Sequence, residues 1–236
     1  MPVVGNDVVD LRHPDTWQKS RDRRFVQRVF LPEEEKRIYN DSDPDGCLWM
    51  FWAAKEAAYK IFNKENPSIS SSPLKYKTEQ LDEMFLPGHT HDRRLTCAVT
   101  TPCGSVGIVI YAGRDYLHAF GSLGDGKALG DIHLRIFHLD EACEKKERTD
   151  SVIVRNVLRN YLGRYWNISP SRITIQREKN ERGLGAPYIY INCKRAPVDI
   201  SLSHHGRYGA FILFTERDPE KQDKVFFSNG EIVKQG

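Results

Sequence analysis

Apolar residues recur at helical spacing in three stretches of the chain, and each stretch predicts a helical region. The clearest is 48–62, which is rich in Ala, Leu, Met, Lys and Glu and stops before a loop of prolines and serines. A second covers 150–165. The third, 15–39, is interrupted at Pro32, where the glutamates behind the proline are typical of a new helix start.

The remaining pattern predicts strands and an internal repeat. A strand-like opening surrounds Gly5-Asn6-Asp7, and 132–139 also has the pattern of a strand. Two pairs of strands flank short turns and predict hairpins, namely 95–99 with 106–111 and 198–202 with 208–214. Each half therefore contains a helix and ends in a hairpin, so we predict an α+β fold of two similar halves.

The predicted division follows from this layout. We place the first half at residues 1–113, the second half at 114–215 and a polar tail at 216–236. The tail is charged and poor in apolar residues, so we expect it to be extended or partly disordered.

Composition narrows the class of protein. No long apolar run predicts a membrane span, and the first residues lack a secretory signal, so we expect a cytoplasmic protein. The five cysteines are scattered and never in C-x-x-C spacing, which predicts neither a disulfide framework nor a zinc site.

Basic side chains gather near the start of the chain although the net charge is only +3. They are Arg12, Lys19, Arg21, Arg23, Arg24 and Arg28. Such a run is most often a solvated helix surface, but it also suits docking of an acidic partner. Nucleic acid is the least favoured partner, because the cluster lacks interleaved aromatic pairs and belongs to no recognised nucleic-acid-binding module.

The first candidate site is the segment from Gly5 to Asp10, where two carboxylates follow a glycine at a strand. Asp7 and Asp10 are candidate ligands of a hard cation. Acids at this spacing are also common turn formers, so the segment by itself is ambiguous.

The second candidate site lies on the predicted helix 48–62. Glu56 and Lys60 are four residues apart and therefore share one helical face. A surface ion pair is the ordinary interpretation of this spacing. The bulky aromatic residues around the pair, among them Trp52 and Tyr59, instead indicate that part of this helix is buried.

The third candidate site is 201–206, where an alternating strand ends in a hydroxyl and two imidazoles beside a glycine. A nucleophilic Ser–His pair is disfavoured, because adjacent side chains of a strand point to opposite faces. A satisfied polar strand end or a ligand site remains, and in the ligand site Ser203 and His204 would donate hydrogen bonds to phosphate oxygens.

Together the three sites resemble the 4'-phosphopantetheinyl transferase superfamily. Its members share a G-x-D segment, a W-x-x-K-E-x-x-x-K helix and an S-x-S-H segment. These stand here as Gly5-Asn6-Asp7, 52–60 and 201–204, and 24–30 followed by Pro32 also resembles the linking helix of the family.

The order of the motifs bears on the architecture. It is the order of the short holo-acyl-carrier-protein-synthase type, which assembles as a trimer, but this chain has double length. The surfactin-synthetase-activating type is a double-length pseudodimer whose halves come in the other order. The resemblance thus implies a monomeric pseudodimer with its halves swapped and the active site in the cleft between them. A trimeric short-type enzyme with an insertion is the alternative.

The resemblance also implies the reaction, which is transfer of 4'-phosphopantetheine from coenzyme A to a carrier-protein serine with release of 3',5'-ADP. Mg²⁺ would be held by Asp7 and Glu56, with Asp10 as a further ligand. Glu56 would take the serine proton and Lys60 would stabilise the departing phosphate. The 3'-phosphate end of the nucleotide would be held by Ser203 and His204, and Arg148 is a weaker candidate for a phosphate contact.

The implied partner is an acidic apo carrier protein of fatty-acid, polyketide or nonribosomal-peptide biosynthesis, docking near Arg21, Arg24 and Arg28. The chain departs from the family pattern at Asn6, where an aliphatic residue is usual, and at Val9 and Ala186. These departures leave open the number of metal ligands and the affinity for the nucleotide. A non-catalytic carrier-binding module with the same fold is the second functional hypothesis, and the presence of Asp7, Glu56 and Lys60 together argues against it.

Overall fold

The computed structural model describes residues 1–79, 81–84, 93–124, 132–142, 149–180 and 183–215. Four α-helices lie within these ranges: α1 Arg23–Val29, α2 Pro32–Asn40, α3 Pro44–Glu65 and α4 Asp150–Tyr165. The strands are β1 Val3–Asp10, β2 Lys77–Thr78, β3 Asp82–Met84, β4 Arg93–Thr101, β5 Gly104–Ala112, β6 Tyr116–Leu123, β7 Ile132–His138, β8 Ile173–Asn180, β9 Gly183–Ile191, β10 Lys194–Arg195, β11 Val198–His205 and β12 Tyr208–Thr215.

The predicted α+β class is confirmed. One sheet has the strand order β1-β6-β5-β4-β2 with β3 also paired to β4, and two further sheets have the orders β11-β12-β7 and β10-β9-β8. All of these pairings are antiparallel. No helix among the described residues is long and apolar enough to cross a membrane.

The first sheet extends past the predicted boundary at residue 113. Strand β6 follows that boundary, yet it pairs with β1 along its whole length and with β5 on its other edge. The pattern did not reveal β6 because most of its residues are buried on both faces, so polar and apolar positions do not alternate. The first structural half therefore continues to Leu123, and the predicted tail 216–236 lies outside the described residues.

The two halves share an order of strands. In each half a first strand, β1 or β7, is followed along the chain by a long helix, α3 or α4. In the sheet, the last strand of each half lies between the first strand and the strand that precedes it in the chain. Thus β6 lies between β1 and β5, and β12 lies between β7 and β11. The two parts of the chain are alike in this strand order.

Helix α3 lies directly on β1. It begins with the side chain of Asp43 accepting a hydrogen bond from the Gly46 N–H at 3.0 Å, which satisfies a free donor of the first turn. Its face toward the sheet is lined with small residues, including the fully buried Ala57. A side chain at Gly5 would clash with the backbone oxygen of Ala57, so the glycine permits helix and strand to approach this closely.

Apolar contacts between the halves centre on the other face of β1. Val4 packs with Phe120, Ile212 and Phe214 in one buried cluster. A second cluster joins Val8 to residues of β12. Because β1 is covered by α3 on one face and by the second half on the other, it lies in the interior of the protein.

Candidate active site

Strand β1 divides its side chains between two environments, because successive side chains of a strand point to opposite faces. Gly5 lies against α3. Asn6 and Asp10 are on the opposite face, where they bond to Ser203 and Arg207 of the second half. Asp7 therefore points to the α3 side, away from Asp10.

The structure brings Asp7, Glu56 and Lys60 together, and we call these three residues the charged cluster. Lys60 Nζ lies 2.7 Å from Asp7 Oδ1 and donates a second hydrogen bond, at 2.8 Å, to the backbone oxygen of Asn6. The Lys60 and Asp7 side chains are 28% and 15% exposed, so the pair is partly open to solvent. Glu56 stands one helical turn before Lys60 on α3.

Burial raises the pKa of Glu56 to about 7, with a further contribution from the negative charge of Asp7 and an opposing one from Lys60. A second positive charge beside Glu56 and Asp7 would favour the ionised carboxylate. Two carboxylates and one ammonium group give the charged cluster a net negative charge when Glu56 is ionised, and a strongly shifted pKa in such a cluster is typical of functional sites.

The donor set of the charged cluster fits Mg²⁺. This ion is commonly held by one or two carboxylates and completes its shell with waters and substrate phosphates. Asp7 and Glu56 supply two carboxylates. Within the part of the chain that the structure describes, no group of three or more His, Cys, Asp and Glu side chains is arranged to hold a metal. An all-protein metal cage is therefore not present among these residues, and phosphate oxygens would have to complete the shell.

The structure does not bring Asp10 to the charged cluster. Its carboxylate accepts hydrogen bonds from Arg207 Nη2 at 2.7 Å and Arg207 Nε at 2.8 Å, and from the backbone N–H groups of Arg12 and Arg207 at 2.9 Å each. Burial would raise the pKa of Asp10, but these bonds outweigh it and hold that pKa well below its ordinary value. Asp10 thus connects β1 to the β11–β12 turn.

Ser203 and His204 point to opposite faces of β11. Ser203 Oγ accepts a hydrogen bond from Asn6 Nδ2 at 2.9 Å, so this hydroxyl faces β1. His204 lies at the start of α4, with its Nδ1 at 3.8 Å from Asp150 Oδ2, and its side chain is 42% exposed. Burial lowers the pKa of His204 against the opposing effect of Asp150, with smaller effects of Lys60 and Asp7. Arg148 lies outside the described residues.

Sequence reasoning missed the side chains of β11 that cover the free edge of β1. Asp199 Oδ2, Ser201 Oγ and His205 Nδ1 accept hydrogen bonds from backbone N–H groups of β1. The donors are Val4 at 2.7 Å, Asn6 at 3.1 Å and Asp10 at 3.0 Å. The signal was present, because polar residues at every second position of a strand that is otherwise buried indicate a polar interface.

Lys64 was also missed, although it continues the four-residue spacing of Glu56 and Lys60. Its Nζ donates to Asp199 Oδ2 at 2.6 Å and to the backbone oxygens of Val4 and Ile200 at 2.6 and 2.7 Å. Both charged side chains are largely buried. Lys64 therefore ties α3 and β1 to β11 in a single contact.

The lysine that precedes Glu56 has a structural role. Lys55 is buried and donates to Glu34 Oε2 at 2.6 Å, and to the backbone oxygens of Val29 and Pro73. Burial lowers the pKa of Lys55, and the carboxylate of Glu34 opposes that effect. The side chain thus fastens α3 to α2 and points away from the charged cluster.

The basic residues proposed for docking lie on the surface. Arg21, Arg24 and Arg28 are exposed, and Arg24 and Arg28 share one face of α1. Trp17 is 75% exposed in the short segment between β1 and α1. Exposed arginines are accessible to an acidic partner.

Comparison with known proteins gives a match for the part of the chain that holds the charged cluster. No curated protein matches the chain. Residues 3–85, which contain Asp7, Glu56 and Lys60, match the 4'-phosphopantetheinyl transferase superfamily. This match confirms, for residues 3–85, the relationship of the chain to the 4'-phosphopantetheinyl transferase superfamily.

Proposed function

We propose that the protein transfers 4'-phosphopantetheine from coenzyme A to a serine of an apo carrier protein and releases 3',5'-ADP. The observation that carries this proposal is the charged cluster, in which Asp7, Glu56 and Lys60 meet within the segment that matches the superfamily. Two carboxylates beside one ammonium group suit the handling of a diphosphate and of a proton at the same place.

In the proposed reaction, the serine oxygen attacks the β-phosphorus of coenzyme A. The bond from that phosphorus to the bridging diphosphate oxygen breaks, and 3',5'-ADP leaves with the electron pair. Glu56 accepts the serine proton. Lys60 donates a hydrogen bond to the departing phosphate. Mg²⁺ held by Asp7 and Glu56 would neutralise the charge of the diphosphate.

The second half supplies the nucleotide side of the proposed site. His204, whose side chain is 42% exposed, is assigned to the 3'-phosphate end of coenzyme A, whereas Ser203 faces β1 and contacts Asn6. The repeated strand order of the halves supports a pseudodimer with its cleft where β1 meets β11. A pseudodimer of this kind works as a monomer, so gel filtration that gave a trimer would favour the short-type alternative.

The test of the reaction is mass spectrometry of an apo acyl carrier protein after incubation with the enzyme, coenzyme A and Mg²⁺. Wild-type protein should add one phosphopantetheine group, whereas Glu56→Gln and an EDTA-treated sample should not. Glu65→Gln is the matched control, since Glu65 is exposed on the same helix. Coenzyme A binding without transfer to any of several carriers would instead support the carrier-binding module.

We further propose that the carrier docks on Arg21, Arg24 and Arg28, with Trp17 as an apolar contact. Reversing the three arginines to glutamate should raise the KM for carrier protein by about tenfold at low salt and leave kcat nearly unchanged. Lys194→Glu changes an exposed charge in the second half and serves as the control. An unchanged KM for the triple variant would reject this docking surface.

A further inference from the structure

Asn6 is a fully buried amide in the strand that carries Asp7. Its Nδ2 lies 2.9 Å from Ser203 Oγ on β11 and 3.1 Å from His118 Nε2 on β6. An amide that is fully excluded from solvent needs partners for its polar atoms, and an aliphatic side chain would need none. The side-chain contacts of Asn6 therefore require a reason of their own.

The backbone of Asn6 extends the same connection. Its N–H donates to Ser201 Oγ at 3.1 Å, and its carbonyl oxygen accepts from Lys60 Nζ at 2.8 Å. This single residue thus contacts both β11 and α3. Asn6 precedes Asp7 in the chain, and its partner Ser203 precedes His204. Asn6 therefore connects the charged cluster to β11, the strand that carries His204.

His118 holds the amide from the other side. It is fully buried on β6, and burial, with a smaller effect of Lys60, lowers its pKa to about 3. The ring is therefore neutral at physiological pH. When its Nε2 accepts the bond from Asn6 Nδ2, the ring proton lies on Nδ1.

Keeping this amide in the interior has a cost. Asn6 Oδ1 and His118 Nδ1 have no protein partner among the described residues. A buried polar atom without a partner is destabilising, and an aliphatic side chain would avoid that cost. What the amide offers in place of an aliphatic side chain is therefore its pair of hydrogen bonds to Ser203 and His118.

We propose that Asn6 and His118 are positioning residues that fix the register of β11 against β1, and thereby the distance from His204 to the charged cluster. His118 sets the orientation of the amide, and Asn6 holds Ser203. This inference rests on the proposed function, because the distance matters only if one substrate spans both places. It adds a role for two residues that contact neither the diphosphate nor the serine.

Loss of the register should lower kcat without weakening the binding of coenzyme A. In Asn6→Leu the side chains of His204 and of the charged cluster are all retained, so the KM for coenzyme A should change by less than about threefold. The phosphate would be misplaced relative to Glu56, and kcat should fall by about 10- to 100-fold. A purely structural role would lower the melting temperature and leave kcat per folded molecule unchanged.

Three further variants make the test specific. His118→Phe removes the acceptor and should lower kcat like Asn6→Leu, whereas His118→Gln retains an acceptor and should recover most of it. Ile212→Val removes a methyl group from the apolar contact between the halves and is the control for destabilisation, with kcat unchanged. Equal kcat values for His118→Phe, His118→Gln and wild type would overturn the proposal, even if Asn6→Leu does not fold.

Amide hydrogen exchange supplies a readout without the reaction. The N–H groups of Val4, Asn6 and Asp10 bond to β11, and their exchange should be at least about tenfold faster in His118→Phe than in Ile212→Val. Faster exchange with wild-type kcat would overturn the positioning role and leave the proposed function standing. A wild-type protein that transfers nothing would overturn the proposed function, while the exchange rates would still decide whether this amide sets the register.

Discussion

Strands β1 and β7 hold the same position in their halves but differ in their surroundings. Each is the first strand of its half and pairs with the last strand of that half. Six of the eight residues of β1 are buried, whereas all seven residues of β7 are only partly buried. Two features cause the difference: α3 lies on one face of β1, whereas α4 packs mainly on other strands than β7, and side chains of β11 cover the edge of β1 that faces away from β6.

A free strand edge carries backbone donors that need partners. At β1 these partners are side chains of another strand rather than a further strand of the sheet. This arrangement lets the two halves meet without merging their sheets. It also means that the strand carrying Asp7 is fixed from the second half, so the halves depend on each other for the geometry of the charged cluster.

The strongest test of this comparison is Lys64→Met, which breaks the contact between α3, β1 and β11. The variant leaves the carboxylate of Asp199 buried without its cation, so the free energy of unfolding should fall by about 3–5 kcal/mol in urea denaturation. Lys77→Met removes an exposed lysine whose Nζ lies 3.6 Å from Glu33 Oε2. This control should change the free energy of unfolding by less than about 0.5 kcal/mol. Equal effects of the two substitutions would show that the edge of β1 needs no such contact.

Glu56, on the α3 side of β1, should have a smaller effect on stability, and this effect should depend on pH. Because the pKa of Glu56 is raised to about 7, the metal-free protein should lose stability as pH rises from the ordinary glutamate pKa near 4.5 to 7. Glu56→Gln has no such loss and should be more stable than wild type by about 3 kcal/mol at pH 8 and equal to it at pH 4. Thermal unfolding at both pH values measures this, and Mg²⁺ should narrow the gap at pH 8. A stability difference between variant and wild type that is the same at both pH values would contradict the raised pKa of Glu56.

Asp10→Asn should give the smallest effect, about 1.5 kcal/mol at pH 7, since Arg207 can turn to water after losing its partner. The pKa of Asp10 is held below its ordinary value, so its contribution is present above pH 4 and is lost as pH falls through the lowered pKa. Chemical denaturation at pH 7 and pH 2 should therefore show the difference shrinking with acid. Asp115→Asn, at an exposed ion pair with Arg12, is the control.

Much of the fold could be predicted from local pattern. Helix α4 begins and ends at the predicted residues, and α3 extends the predicted helix only by a proline-led first turn and one final turn. The proximity of Glu56 and Lys60 also follows from helical spacing. Strand alternation alone would have separated Asp10 from Asp7, because residues three apart lie on opposite faces.

The contacts between the halves could not be predicted in this way. Which polar side chains of β11 meet which amides of β1 depends on how two independently patterned units dock. The bonds between Val4 and Asp199 and between Asn6 and Ser203 join residues 195 and 197 positions apart. No local periodicity encodes a separation of that size.

This separation has a consequence for the order in which the protein forms. Strand β1 precedes the other described strands in the chain, and the residues that satisfy its outer amides are among the last of the described residues to be translated. During synthesis the strand edge therefore stays open until β11 has been translated, and it resembles the exposed edges from which aggregation starts. An isolated first half, which lacks the side chains of β11, should therefore be prone to self-association.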